Sequence, residues 1–323
     1  MFLFLNNIFF STFSLKIHKG LDSFKKIKNS IVTTGTFDGV HKGHVDIIKE
    51  LCNKNSEQES VLITFFPHPR QVLFPDQKIK FINTFNEKVE LFSNYEIDHL
   101  VIQEFNFEFS RISSMQYVRD ILKKKIGLKK LIIGHDHHFG RNREASAFHI
   151  EEYAQLYDFE FKTIPPLKLN GLIVSSTKIR NALKAGEIEL ANNLLGYYFS
   201  FKGKIIQGKG VGRTIGFPTA NIFIENKNKI IPGNGVYAVF VKFKNKKHKG
   251  MLNIGFNPTF EEKKLSIELN IFNFKSFIYD QEINVYFKNK IRDEKKFNTI
   301  NDLKNQLSKD KIAAEKYLSL LSF

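Results

Sequence analysis

Short apolar runs alternate with helix-spaced apolar positions through the first half of the chain. Ile31–Thr36, Val61–Phe66, Leu100–Gln103, Leu131–Gly134 and Phe159–Ile164 read as buried strands. Between them Val45–Asn53, Met115–Ile126 and Ser146–Leu156 carry apolar residues at helical spacing. Strand and helix in alternation predict an α/β domain with a parallel sheet covered on both faces. Ligands of such sheets bind beyond the carboxyl ends of the strands.

The pattern then changes. Thr177–Ala185 and Glu187–Leu195 read as helices closed by Gly186 and Gly196, and this stretch is the expected boundary between domains 1–186 and 187–323. Phe199–Ile206, Val236–Phe243, Lys249–Ile254, Leu265–Phe272 and Glu282–Phe287 are strand-like, with turn-rich links such as Pro232-Gly233-Asn234-Gly235. Consecutive strands without intervening helices predict a small antiparallel sheet or barrel. An amphipathic C-terminal helix, Asn301–Leu320, offers Leu303, Leu307, Ala314 and Leu318 to that barrel.

Composition alters this picture little. The 323 residues suit two domains, and 42% hydrophobic residues fill ordinary cores. The net charge of +16 comes from 49 basic residues of which 41 are Lys. They form no single basic face with interleaved aromatics, so the expectation is no nucleic-acid partner. The lone Cys52 excludes an internal disulfide, reads as an inert buried thiol and fits a reducing cytoplasm. No run reaches the roughly 18 apolar residues of a membrane helix. Met1–Leu15 is Phe-rich, is interrupted by Asn6 and Asn7, and has no basic leading segment or small-residue cleavage site. The expectation is a disordered or accessory start at residues 1–14, not a signal peptide.

The chemistry clusters at strand ends. Gly35-Thr36-Phe37-Asp38-Gly39-Val40-His41-Lys42-Gly43-His44 joins a strand to a helix. His41 and His44, three apart, can face the same way. Gly43 admits a ligand close to the backbone, and the helix start favours an anion. Two imidazoles there can donate to phosphate oxygens as charge shifts during transfer. Ser175-Ser176-Thr177-Lys178-Ile179-Arg180 is a second anion cradle, with Ser176 or Thr177 as helix cap and Arg180 as phosphate grip. Pro67-His68-Pro69 forms a rigid loop, either a plain turn or the wall of a flat pocket. His135-Asp136-His137-His138 suggests zinc, but Cys is absent and the spacing fits no common ligand pattern.

In the second half Gly203 and the run Gly208-Lys209-Gly210-Val211-Gly212-Arg213 can wrap phosphates. In Phe217-Pro218-Thr219-Ala220-Asn221, the Thr219 and Asn221 oxygens point to one side of an extended segment and suit Mg²⁺. No Walker loop is present. Glu268, amid apolar neighbours in Ser266–Leu269, is either solvent-facing or a base for a hydroxyl nucleophile.

Taken together, the GTFDGVHKGH, PHP, GHDHHFGRNRE and SSTKIR segments resemble the adenylyltransferase module of bacterial bifunctional riboflavin kinase/FAD synthetases. The second-half segments, with Pro232–Tyr237, Asn253-Ile254-Gly255, Pro258-Thr259-Phe260, Glu268 and Arg292-Asp293-Glu294, resemble the kinase module. The resemblance spans about residues 15 to 320. It implies a Rossmann-like nucleotidyltransferase domain followed by a small antiparallel β-barrel with a C-terminal helix. It implies phosphorylation of riboflavin by ATP to FMN, then adenylylation of FMN by ATP to FAD and pyrophosphate, with Mg²⁺.

By resemblance His41, His44 and Glu268 are catalytic. Gly35, Phe37, Asp38, Gly43, Ser175, Ser176, Thr177, Arg180, Gly203, Gly208, Gly212 and Arg213 hold ATP phosphates. Pro67, His68, Pro69, Asp136, Asn253 and Arg292 adjoin flavin, and Thr219 and Asn221 hold the metal. The expected partners are small molecules alone, with no membrane, for a monomer or weak homo-oligomer. Ala145, Tyr197, Asn257 and Asn273 depart from the usual residues, and the latter two bear on the kinase. The alternatives are an adenylyltransferase with a weakened kinase, or a non-catalytic basic nucleic-acid-binding module.

Overall fold

A computed structural model describes residues 15–135, 140–141, 147–207, 212, 215–258, 263–274 and 276–319. Contacts divide the chain into two units. One comprises the described residues of Asn7–Ile79 and Asn83–Ser176, the other those of Lys80–Ile82 and Thr177–Phe323.

The first unit is built on six parallel strands: β1 (Lys16–Lys19), β2 (Ser30–Thr34), β3 (Glu59–Phe66), β4 (His99–Glu104), β5 (Leu128–Gly134) and β6 (Glu160–Ile164), in the order β1-β4-β3-β2-β5-β6. From β2 the chain builds β3 and β4 on one side, then returns to place β5 on the other. The carboxyl ends of β2 and β5 therefore form the switch point at which such sheets bind ligands.

Successive strand residues feed opposite cores, as the pleat requires. Ile31, Leu62, Leu100 and Ile132 pack with Ile48 and Leu51 of α1 (Lys42–Cys52). Val32, Val61, Val101 and Leu131 pack on the other face with Tyr117, Leu122 and Ile126. Both faces are thus covered, which explains the near-continuous apolar runs. Cys52 lies half-buried in α1, and burial pushes its thiol up to about 11, as an inert thiol requires.

The smaller elements are α2 (Pro69–Leu73), α3 (Phe85–Phe92), the single turns α4 (Phe107–Ser110) and α5 (Ser114–Gln116), α6 (Ala147–Tyr157), and a two-stranded hairpin of β7 (Lys168–Leu169) and β8 (Leu172–Ile173). Tyr117–Ile126 is a π-helix, ended by Gly127 at φ 90°, whose N–H donates to Leu122 O at 3.0 Å. Any Cβ at Gly127 would meet Ile27 O at 1.8 Å. Outer strand β1 is tied to β4 by His18 Nε2···His99 Nδ1 (2.9 Å), and His99 Nε2 meets Glu59 Oε2 at 2.8 Å.

The second unit is a closed antiparallel barrel of six strands: β9 (Ser200–Ile206), β10 (Ala220–Phe223), β11 (Gly235–Phe243), β12 (Lys246–Pro258), β13 (Lys263–Ile271) and β14 (Glu282–Arg292), in the order β10-β13-β12-β11-β14-β9. Ile267, Leu269 and Ile271 are buried apolar residues on one face of β13, so Ser266, Glu268 and Asn270 share its opposite face. Against the barrel's outside packs α9 (Ile300–Ser319), through Leu307, Ala314 and Leu318 on Ala238, Phe240, Met251 and Phe272.

Two further helices join this unit: α7 (Ser176–Ala185), all but its first residue, and α8 (Ile188–Leu195). The Asn192 amide donates to Phe287 O and accepts from Phe199 N–H. Gly233 N–H donates to Leu183 O, and a Cβ at Gly233 would meet Lys184 O at 2.3 Å. This close approach explains Gly233 in the 232–235 turn.

Candidate active sites

The first site grows from the end of β2. The chain leaves the strand through Phe37 (φ 49°), Gly39 (φ 89°) and Val40 (φ 36°), three residues in the left-handed region. Such a turn persists only where its surroundings hold it. Phe37 is buried edge-on against Phe92 and His44. Asp38 is buried, its carboxylate accepting from Asn83 N–H (3.4 Å) and its carbonyl from Ser176 Oγ (2.8 Å). Gly35 donates to Ile63 O, and a Cβ there would meet the Phe37 ring at 3.1 Å.

His41 then caps α1: its Nδ1 accepts from the His44 N–H at 3.3 Å. With Nδ1 accepting, the ring proton of a neutral His41 sits on Nε2. The His41 and His44 rings stack with centroids 3.6 Å apart and planes at 14°. Nδ1 of His44 is shielded and meets no hydrogen-bond partner among the described residues. Burial holds the His44 imidazole well below its usual range, with His41 and Lys88 adding to the effect. His44 is thus a neutral imidazole with a ring nitrogen awaiting a partner. A Cβ at Gly43 would lie 3.4 Å from the His41 ring, an ordinary contact. Packing alone does not demand glycine there, and its bareness leaves the approach to both rings open.

The other expected residues of this unit are placed as follows. Helix α7 starts at Ser176, so Ser175 rather than Ser176 or Thr177 precedes it, and the Ser176 hydroxyl serves Asp38. Thr177 and Arg180 continue on α7 within the second unit. His68 caps α2, accepting from Arg70 N–H at 3.1 Å, with Pro69 as the first helical residue. Pro67 and Phe66 line a 540 Å³ cleft with Ile102 and Glu104 at the carboxyl ends of β3 and β4. Asp136 lies outside the described residues.

The second site is a row across three strands. Glu268 on β13 stands opposite Asn221 on β10 and opposite Asn253 on β12. Cross-strand partners share a face, so one carboxylate lies between two amides. Ser266 Oγ donates to Glu268 Oε1 at 3.1 Å. Asn270, next along the same face, donates to Pro218 O at 2.7 Å and so anchors the segment that carries Thr219. A Cβ at Gly212 would fall 2.2 Å from Phe217 O and 3.1 Å from Thr219 Oγ1. The missing side chain keeps the space beside the Thr219 hydroxyl clear.

Two expected residues have structural reasons of their own. Gly203 is buried in β9, and a Cβ there would meet Ile222 at 2.4 Å, so packing on β10 accounts for it. Arg292 is engaged with the buried Asp310 of α9: Nε donates to Oδ1 at 2.9 Å and Nη2 to Oδ2 at 2.7 Å. Gly208 and Arg213 lie outside the described residues. Among the described residues no three His, Cys, Asp or Glu side chains gather to hold a metal, and no helix is long and apolar enough to cross a membrane.

Comparison with known proteins agrees with this division. The family profile described as FAD synthetase matches residues 23–178, and that described as riboflavin kinase matches residues 195–318. A bifunctional riboflavin kinase/FMN adenylyltransferase of Buchnera aphidicola (subsp. Schizaphis graminum) is 38% identical over 95% of this chain and 100% of its own. The chain belongs to the bifunctional riboflavin kinase/FMN adenylyltransferase family. The family's enzyme from Listeria monocytogenes is 37% identical over 87% of this chain and 90% of its own. A Streptococcus pneumoniae crystal structure, described as a macrolide-efflux protein, shares the architecture at 28% identity, with a TM-score of 0.85 over 93% of this chain and 98% of that one.

One residue beside the first site escaped the sequence reading. Lys88 of α3 is 8% exposed, and its ammonium donates to Thr36 O at 3.0 Å and Thr64 Oγ1 at 3.1 Å. Burial lowers it to about 8, against the pull of Asp38. Only its helical neighbours Val89 and Phe92, facing the core, hinted at its direction.

Proposed function

We propose that the chain makes FAD from riboflavin in two steps, each on its own unit. In the first, the 5′-hydroxyl of riboflavin attacks the γ-phosphate of ATP, giving FMN and ADP. Glu268 accepts the hydroxyl proton, held in aim by Ser266 and flanked by Asn221 and Asn253. Thr219 and Asn221 fit a Mg²⁺ that keeps several waters and bridges ATP phosphates. They supply a hydroxyl and an amide oxygen, and Gly212 leaves the approach to Thr219 clear. When bound, the ion neutralises charge on the phosphates.

In the second step the FMN phosphate attacks the α-phosphate of ATP, giving FAD and pyrophosphate. His41 and His44 give N–H bonds to phosphate oxygens on which charge gathers. No covalent intermediate with the protein is needed, because positioning and charge stabilisation supply the rate. Pro67 and Phe66 offer a wall for the flavin ring, and Ser176 steadies the turn at Asp38. The enzyme works on small molecules, as a cytoplasmic monomer or weak homo-oligomer without a nucleic-acid partner.

The supporting observation is that the stacked His pair and the Glu268 row lie on different units, each with its own group for handling phosphate. Incubation with riboflavin, ATP and Mg²⁺, followed by separation of the flavins, tests it. FMN and FAD both form. FAD from supplied FMN alone would mean a decayed kinase, and no flavin product with salt-sensitive nucleic-acid binding would overturn the reading.

A further inference from the structure

We infer that Lys88 is a positioning residue for adenylyl transfer, fixing the left-handed turn that leads into His41. This rests on the reading of the first unit given above. Three observations converge. The ammonium is buried, so its presence calls for a compensating role. Its partners are Thr36 O, at the entry to the Phe37–Val40 turn, and Thr64 Oγ1 on the neighbouring strand β3. The turn has two non-glycine residues at positive φ and needs such clamping.

The groups facing this ammonium come from every side. Asp38 of the turn attracts it, the Phe85 ring lies 5.6 Å away on its own helix, and His44 of α1 feels its charge. A proton on His44 would sit in a stack 3.6 Å from the His41 ring and would feel the Lys88 charge. Lys88 therefore adds to the cost of protonating His44, which burial dominates. Phosphate then meets a prepared neutral imidazole at His44, and no reorganisation is needed there at the moment of transfer.

The test uses the full chain with Lys88→Met and Lys88→Arg. Three quantities are read: FMN-to-FAD turnover against pH, riboflavin-to-FMN turnover on the same sample, and the His44 ring titration by NMR. Lys88→Met is expected to lower kcat for FAD formation about tenfold or more, with KM for ATP within about threefold. Its acid limb and the His44 midpoint should move up, because a neighbouring positive charge is gone. Lys88→Arg should return the midpoint to its original place, and FMN formation should not change in either variant.

An FAD-forming kcat left unchanged by Lys88→Met overturns the inference. So does an equal kcat loss in both variants with the same acid limb. If Lys88→Met does not fold, Thr64→Val removes one anchor and leaves the charge. It should lower kcat by about threefold to tenfold with the midpoint unmoved, and unchanged turnover would sink the clamping role. Wild-type enzyme making no FAD would instead refute the adenylyltransferase reading, and the NMR titration would still decide what Lys88 does.

Discussion

Glu268 has one oxygen held by Ser266 and amides on both sides, so its removal tests proton acceptance with little loss of packing. Glu268→Gln should reduce riboflavin phosphorylation by about 10²–10⁴-fold while supplied FMN still becomes FAD. Unchanged kinase turnover would remove Glu268 from the mechanism. Gly212→Ala should lower kinase turnover about tenfold or more, since its Cβ would collide with Phe217 O and crowd Thr219. ATP titration of both enzymes checks this. The residues with marked spacing, His41 with His44 and Thr219 with Asn221, could be read from the sequence because a fixed offset fixes a shared face. Lys88 could not: among 41 lysines it looks like a solvated neighbour of Glu87.

Elements with strong periodicity were legible and weak ones were not. Helix α9 begins at Ile300, one residue before the expected Asn301, and three of its four expected apolar positions, Leu307, Ala314 and Leu318, pack on the barrel. Strand β1 is only Lys-Ile-His-Lys, and β10 is four residues beginning Ala-Asn, so neither shows an apolar run. Both are recruited by their neighbours, β1 by β4 and β10 by β9 and β13. The pairing of Arg292 with Asp310, 18 residues on in α9, was not legible because no local pattern links a strand end to the following helix. Asp310→Ala should destabilise the barrel unit by about 3–5 kcal/mol, because it leaves a largely buried guanidinium unpaired. Thermal unfolding measures it.

Acid should act on α1 and β1. Burial lowers His44 and His18, so the unfolded chain takes up protons first. Stability is complete above the ordinary histidine value of about 6.5 and falls as pH drops toward the depressed folded values. Denaturant titrations at about pH 7.5 and about pH 5.5 should show the loss, and His44→Gln should reduce it.

At the scale of the molecule, two chemistries on two units should separate by mutation. Joint replacement of His41 and His44 by Ala should block FAD formation and let FMN accumulate from riboflavin at the wild-type rate. Loss of both steps would contradict separate sites. The change from alternating strands and helices to consecutive strands revealed two fold classes. It did not reveal that contacts assign most of α7 to the barrel unit, because helical periodicity says nothing of which core a helix joins. The barrel has one further consequence. Strands β12 and β13 run in unbroken register from Gly250 opposite Ile271 to Pro258 opposite Lys263, whereas β11 against β14 carries two offsets. A ring has no free border at which to shed a surplus residue. One inserted codon between Leu265 and Glu268 would therefore turn the carboxylate toward the oily lumen, so drift in length belongs in the loops and on the far wall.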